Sequence, residues 1–225
     1  MFKIVAVLLT FSLLVSCGEQ VSSTTKARIL VLGDSMMATN STGGNTVADG
    51  IEAILGEEVI DRSVIGASYF YRLPISGAAG LRLDAQYRPG TWDWIVLNGG
   101  GNDLLFGCGC HECENQLTRL VTPDGKYGAI PDFVTHLRAS GARVLYVGYL
   151  RNPGMATPIK ACRTAGDDLD QRLARMASLN GGVDFMDLSD LVPHGDTSFH
   201  WLDRIHPSPK GSHAIAARIA EFIRQ

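Results

Sequence analysis

The sequence predicts an α/β fold, a single three-layer α/β/α domain around a mostly parallel, five-stranded sheet, and three observations carry that prediction. Five short apolar runs, Ile29 to Leu32, Val59 to Ile60, Ile95 to Leu97, Val144 to Val147 and Val183 to Met186, are continuous, as in strands covered on both faces. Between them lie one-sided helical patterns: Val47, Ile51, Ile54 and Leu55; Ile130, Phe133, Val134 and Leu137; Leu169, Leu173 and Met176; and finally Ile215, Ile219, Phe222 and Ile223. Strands that alternate with such helices form a parallel sheet, whose ligands sit outside the carboxyl ends of the strands. Functional residues are therefore expected in the segments that follow each strand.

Size and charge narrow the field. At 225 residues, 45% hydrophobic and 19% charged, the chain can bury a full core and is read as one domain over 27–225. A formal net charge of -3, with no run of Lys or Arg, leaves no electrostatic footprint for nucleic acid. No internal repeat is visible.

The first residues read differently. Lys3 supplies a positive start, Ile4 to Val15 is apolar except for Thr10 and Ser12, and Ser16-Cys17 follows, which is the layout of an export signal over 1–16. The apolar run falls short of the roughly 20 residues of a spanning helix. Leu14-Val15-Ser16-Cys17 resembles the lipobox of bacterial lipoproteins, which implies a lipid on Cys17. Residues 17–26 then form a flexible tether rich in Ser and Thr. The expected location is the cell envelope, lipid-anchored to the membrane on its periplasmic face. Gly18 after the cysteine favours the outer membrane over the inner, by similarity to the sorting pattern.

The chemistry-bearing residues follow the strands. Ile29 to Leu32 runs into Gly33-Asp34-Ser35, which puts Ser35 at a strand's carboxyl end, where a serine serves equally as a helix N-cap. Near the other terminus stands Asp203-Arg204-Ile205-His206, just before Pro207-Ser208-Pro209 opens the last helix. Three-residue spacing in a turn lets the carboxylate reach the imidazole Nδ1, leaving Nε2 free to take a proton from a serine. Acyl transfer also needs donors for a developing oxyanion. Gly66, which has no Cβ, and Asn102, in the glycine-rich loop Gly99-Gly100-Gly101-Asn102-Asp103, are the candidates, with Gly77 and Gly80 as alternatives to Gly66.

Taken together, Gly33-Asp34-Ser35, Gly66, Gly100-Gly101-Asn102-Asp103 and Asp203-Arg204-Ile205-His206 resemble, in order and spacing, the four blocks of the SGNH, or GDSL-like, hydrolases. The resemblance spans the mature chain. It implies the flavodoxin-like SGNH hydrolase fold and a catalytic triad of Ser35, His206 and Asp203. It also implies an oxyanion hole of the Ser35 and Gly66 N–H groups with the Asn102 amide, and no cofactor or metal. Met36 stands where the older family name has Leu, at a packing position. The sequence holds no Gly-x-Ser-x-Gly elbow, P-loop, dinucleotide fingerprint or His-Glu-x-x-His motif.

Cys108, Cys110 and Cys113 crowd the segment after Asn102, and Cys162 follows the fourth strand. Export favours disulfides. If the strand order is 2-1-3-4-5, these segments are neighbours. The expectation is then that Cys162 pairs with one of the three and the remaining two pair locally, Cys108 with Cys110 being the least favourable local pair. The alternative is a zinc site built from these thiolates and His111. His111, His136, His194, His200 and His213 are read as surface or loop residues. Trp201 is read as a packing residue that could also line an acyl pocket.

The function expected from these residues is serine esterase action on a small-molecule, lipid or glycan acyl ester. The alternatives are an O-acyltransferase using the same triad on envelope glycans or lipids, and a non-catalytic binding lipoprotein. The stretch Met37 to Asn45 is expected to be a mobile loop beside Ser35, and with no long apolar lid in view a small or polar acyl group is favoured over a long chain.

Overall fold

The structure, a computed structural model, describes residues 26–152, 154 and 156–225. The expected signal over 1–16, Cys17 and the tether up to residue 25 lie outside the described residues.

Five strands form one parallel sheet in the order β2-β1-β3-β4-β5. They are β1 (Ile29–Leu32), β2 (Val59–Asp61), β3 (Trp94–Leu97), β4 (Arg143–Val147) and β5 (Val183–Met186). The helices are α1 (Ser35–Ala38), α2 (Val47–Leu55), α3 (Pro74–Ser76), α4 (Gly101–Gly107), α5 (Glu114–Leu120), α6 (Ala129–Arg138), α7 (Arg163–Leu179) and α8 (Pro209–Ile223). All five apolar runs are strands, and the four periodic segments are α2, α6, α7 and α8. The one-turn α3 and the short α4 and α5 carry too few periodic positions to be read from sequence.

Continuous apolar strands arise because side chains alternate between two faces and both faces are covered. Ile29 and Val31 of β1 enter one core with Val96, Leu145, Ile51 and Ile215, beneath α2 and α8. Leu30 and Leu32 enter the other with Ile95, Val144, Ile130 and Leu173, beneath α6 and α7. Both long helices of the first layer have defined starts. Thr46 and Asp49 form a reciprocal capping box on α2, and the Ser208 side chain accepts from Gly211 N at the head of α8, with Pro209 in its first turn. Among the described residues no helix is long and apolar enough to cross a membrane.

The chain leaves β1 for β2 on one side and then crosses to β3 on the other, so β1 and β3 flank the point where the winding reverses. In parallel sheets that is the point outside the carboxyl ends of the strands where ligands bind. The segments after β1 and β3 carry Ser35 and Asn102.

Two disulfides brace this rim: Cys110–Cys162, which spans 52 residues, and Cys108–Cys113, which spans 5. They leave no free thiolate for the alternative zinc site with His111. Between α4 and α5 the backbone is left-handed at Gly109 (φ 60°), Cys110 (φ 60°) and Glu112 (φ 48°), a conformation that costs energy at the two non-glycine residues. The long bridge ties this turn to the start of α7. Replacing Cys110 and Cys162 together by serine should lower stability by about 2–4 kcal/mol through lost loop closure. The check is the midpoint of denaturant unfolding, and an unchanged midpoint would show that the bridge contributes nothing.

Candidate active site

Ser35 is the first residue of α1, half-buried between the buried Asp34 and Met36. Asp34 is the N-cap, and its Oδ1 accepts from Met36 N at 2.9 Å. Capping thus falls to Asp34, and the serine hydroxyl is left without a protein partner among the described residues. Met36 and Met37 pack into the core under α2 and α8.

Asp203 and His206 sit in a turn that is closed on itself. Trp201 N donates to His206 O at 2.9 Å, and Ser208 N to Phe199 O at 2.9 Å. Inside it, Asp203 Oδ2 lies 2.7 Å from His206 Nδ1, while Asp203 Oδ1 accepts from the N–H groups of Ile205 (2.9 Å) and His206 (3.0 Å). Arg204 makes the reversal at φ 55°. Burial works to raise the Asp203 carboxyl, but the bonds from the His206 ring and the two backbone N–H groups prevail and hold it below the usual carboxylate range. The carboxylate stays ionised and engages Nδ1, which turns the imidazole Nε2 away from Asp203.

Asn40 joins this turn to the Ser35 segment. Its Nδ2 donates to Pro207 O (3.1 Å) and Ser212 Oγ (2.9 Å), and its Oδ1 accepts from Trp201 Nε1 (2.8 Å). The expected mobile loop therefore needs correcting. Met37 and Ala38 are buried in α1 and Asn40 is bonded on both sides of its amide, leaving only Ser41 to Asn45 as an exposed stretch. Trp201 is half-exposed, with its indole N–H committed to Asn40.

Asn102 is the second residue of α4 and not part of a loop as expected. Its Nδ2 donates to Ala67 O at 2.9 Å, which sets the amide beside Gly66 and leaves its second hydrogen free. Gly66 has φ 83°, natural to glycine alone. Among the described residues neither the Ser35 nor the Gly66 N–H donates to a protein acceptor. Gly77 and Gly80 sit farther along the same connection, where Gly80 O is taken by Gln86 Nε2 at 2.9 Å. Asp103 holds this connection in place, its two carboxylate oxygens accepting from Tyr69 N and Phe70 N at 2.9 Å each. Burial outweighs those bonds and lifts its pKa to about 6.

Three residues that the sequence did not single out fix these pieces together. Gln86, buried, accepts from Gly33 N and donates to Gly33 O, both at 2.8 Å. Tyr146 places its hydroxyl 3.1 Å from Gly99 O. Tyr149 donates to Asp34 Oδ2 at 2.5 Å and accepts from Gly101 N at 2.8 Å, so one hydroxyl spans the β1 and β3 segments. His200 also departs from expectation. It is buried, and burial lowers its pKa, whereas His136 and His213 lie exposed on α6 and α8. Phe in place of Tyr149 strands a buried carboxylate oxygen and a backbone N–H. Tyr149→Phe should therefore cost about 1–3 kcal/mol in denaturant unfolding. Tyr71→Phe, which loses only a partner in Ser76 Oγ, should cost clearly less, and equal losses would show that the bridge is idle.

No curated protein matches this chain. Solved structures share its fold: a Lactobacillus plantarum protein at 21% identity and TM-score 0.61 covers 88% of this chain and 96% of that one. The lipase Lip_vut3 from a goat rumen metagenome, at 19% identity and TM-score 0.57, covers 86% and 97%. A Corynascus thermopiles carbohydrate esterase family 2 enzyme with an added carbohydrate binding domain, at 16% identity and TM-score 0.56, covers 88% and 65%. The pattern of the GDSL-like lipase/acylhydrolase family matches residues 31–214, a span that takes in Ser35, Gly66, Asn102, Asp203 and His206. The chain belongs to the GDSL-like lipase/acylhydrolase family.

Proposed function

We propose that the chain is a serine esterase of the cell envelope that cleaves acyl esters through an acyl-enzyme on Ser35. The observation that carries this reading is the 2.7 Å contact of Asp203 Oδ2 with His206 Nδ1, in a turn strapped by Asn40 to the Ser35 segment. Family membership supports ester hydrolysis as the reaction class.

In the proposed reaction Ser35 Oγ attacks the ester carbonyl while His206 Nε2 takes its proton. The intermediate collapses, the bond to the alcohol oxygen breaks, and His206 returns the proton to the departing alcohol. Water then attacks the acyl-enzyme by the same route and frees the acid. Asp203, kept ionised, stabilises the imidazolium at each stage. Charge that develops on the carbonyl oxygen is met by the Ser35 and Gly66 N–H groups and by the free hydrogen of the Asn102 amide.

The test is hydrolysis of p-nitrophenyl esters of graded chain length by the full-length chain. Ser35→Ala should abolish turnover, and Asn102→Ala should lower kcat about a hundredfold with folding intact. His206→Gln should abolish turnover likewise, and full turnover in that variant would remove His206 as the base. A chain inert to every ester whose Ser35 is still labelled by a fluorophosphonate would point instead to acyl transfer.

The envelope location rests on Lys3, the apolar run Ile4 to Val15 and the lipobox-like end at Cys17. In this reading Cys17 is lipidated and the domain is held at the outer membrane. Metabolic labelling with a fatty acid should mark the wild type and not Cys17→Ala, and equal labelling of both would refute the anchor.

A further inference from the structure

A cavity of about 360 Å³ opens beside Asn102, between the β2–β3 connection and α4 and α5. That size is in the range of small-molecule sites. Phe70 and Phe106 form its apolar walls, Phe106 being 79% exposed, and Ser68, Arg72 and Arg119 supply polar groups. Arg119 is preorganised. Its guanidinium lies 4.0 Å over the Phe70 ring, and its Nη1 donates to Gln116 Oε1 at 2.9 Å. Among the described residues neither Arg119 nor Arg72 has a carboxylate partner. Arg88, Arg138, Arg175, Arg204 and Arg224 likewise have none among the described residues; what sets Arg72 and Arg119 apart is that both line this one cavity. Asp103, the one acid on the wall, has both oxygens occupied by the Tyr69 and Phe70 N–H groups.

Two cations without counter-ions, one of them stacked and oriented, therefore face a cavity that begins at a proposed oxyanion donor. A guanidinium held in this way suits a planar or tetrahedral oxyanion group, which it can bind through two parallel N–H bonds. Resting on the esterase reading of this same site, we propose that the cavity receives a carboxylate or phosphate carried by the substrate, so that the preferred ester is an anionic one. Arg119 and Arg72 are then the specificity-determining residues. They act through binding of the anion and take no part in proton transfer.

The experiment compares matched neutral and anionic esters with the full-length chain. One arm places the charge on the acyl half (p-nitrophenyl valerate against the p-nitrophenyl monoester of glutaric acid). A second places a carboxylate on the alcohol half (acetyl glucose against acetyl glucuronate), and a third places a phosphate there (monoacylglycerol against monoacylglycerol phosphate). In at least one arm kcat/KM should favour the anionic member tenfold or more. In Arg72→Gln/Arg119→Gln that preference, read as the ratio of kcat/KM for the anionic to the neutral member within one enzyme, should collapse toward one. Equal rates in all arms, or a preference that survives in the double variant, would overturn the proposal. Calorimetric titration of monomethyl glutarate and of glycerol phosphate into Ser35→Ala, with and without the arginine substitutions, gives a reading that needs no turnover. Binding of either that is lost with the arginines supports the proposal, and binding of neither overturns it. Turnover of the neutral esters by the wild type, lost in Ser35→Ala, reports separately on the esterase reading.

Discussion

The hydrogen bond between the Tyr149 hydroxyl and the buried Asp34 carboxyl sets the site's geometry. Asp34 caps α1 through Met36 N, and Tyr149 in turn takes the N–H of Gly101, one residue before Asn102. A single side chain from the end of β4 thus holds the serine-bearing and the asparagine-bearing segments at a fixed separation. Burial pushes the Asp34 carboxyl up, against the bonds from Tyr149 and Met36 and the charge of His206. Removing either partner would leave a polar atom in the core with no water to replace it.

Much of the fold could be read because the signals were local. A covered parallel strand is an unbroken apolar run, and a packed helix repeats every three to four residues, so β1 to β5 and the four longest helices declare themselves. Ser35, Asp203 and His206 could be singled out for the same reason: a carboxylate and an imidazole stand three residues apart, and the serine abuts a strand. The residues that align these groups were not legible. Tyr149 is separated from Asp34 by 115 residues, Gln86 from Gly33 by 53, and Asn40 from Pro207 by 167. No local pattern marks a contact that only the finished topology creates. Asn40, in a stretch of Ser, Thr and Gly, has the composition of a free loop, and its three partners become visible only in the fold.

The same limit applies to the cavity wall. The segment from Arg62 to Asp93 has no sustained period, and its course is set by long-range bonds such as those of Asp103 to Tyr69 and Phe70. The bridge between Cys110 and Cys162 supports the opposite side, at a turn whose left-handed residues disfavour its own backbone. The covalent tie to α7 thus falls on a turn whose left-handed backbone at Cys110 and Glu112 is costly.

The turn that carries Asp203 and His206 is closed by its own backbone pairs, from Trp201 to His206 and from Phe199 to Ser208, and is joined to the serine segment by the amide of Asn40. Carboxylate and imidazole are therefore paired within one turn, which bonds between Arg204 and residues Ala156 and Thr157 also tie to the segment after β4. Were the turn to lift from the sheet, the carboxylate and the imidazole would travel together with their mutual bond intact, and only their registry with Ser35 would be lost. In the proposed mechanism, registry of the imidazole with Ser35 is consequently set by what holds the turn from outside, the Asn40 clasp among it, and is separable from the internal order of the pair.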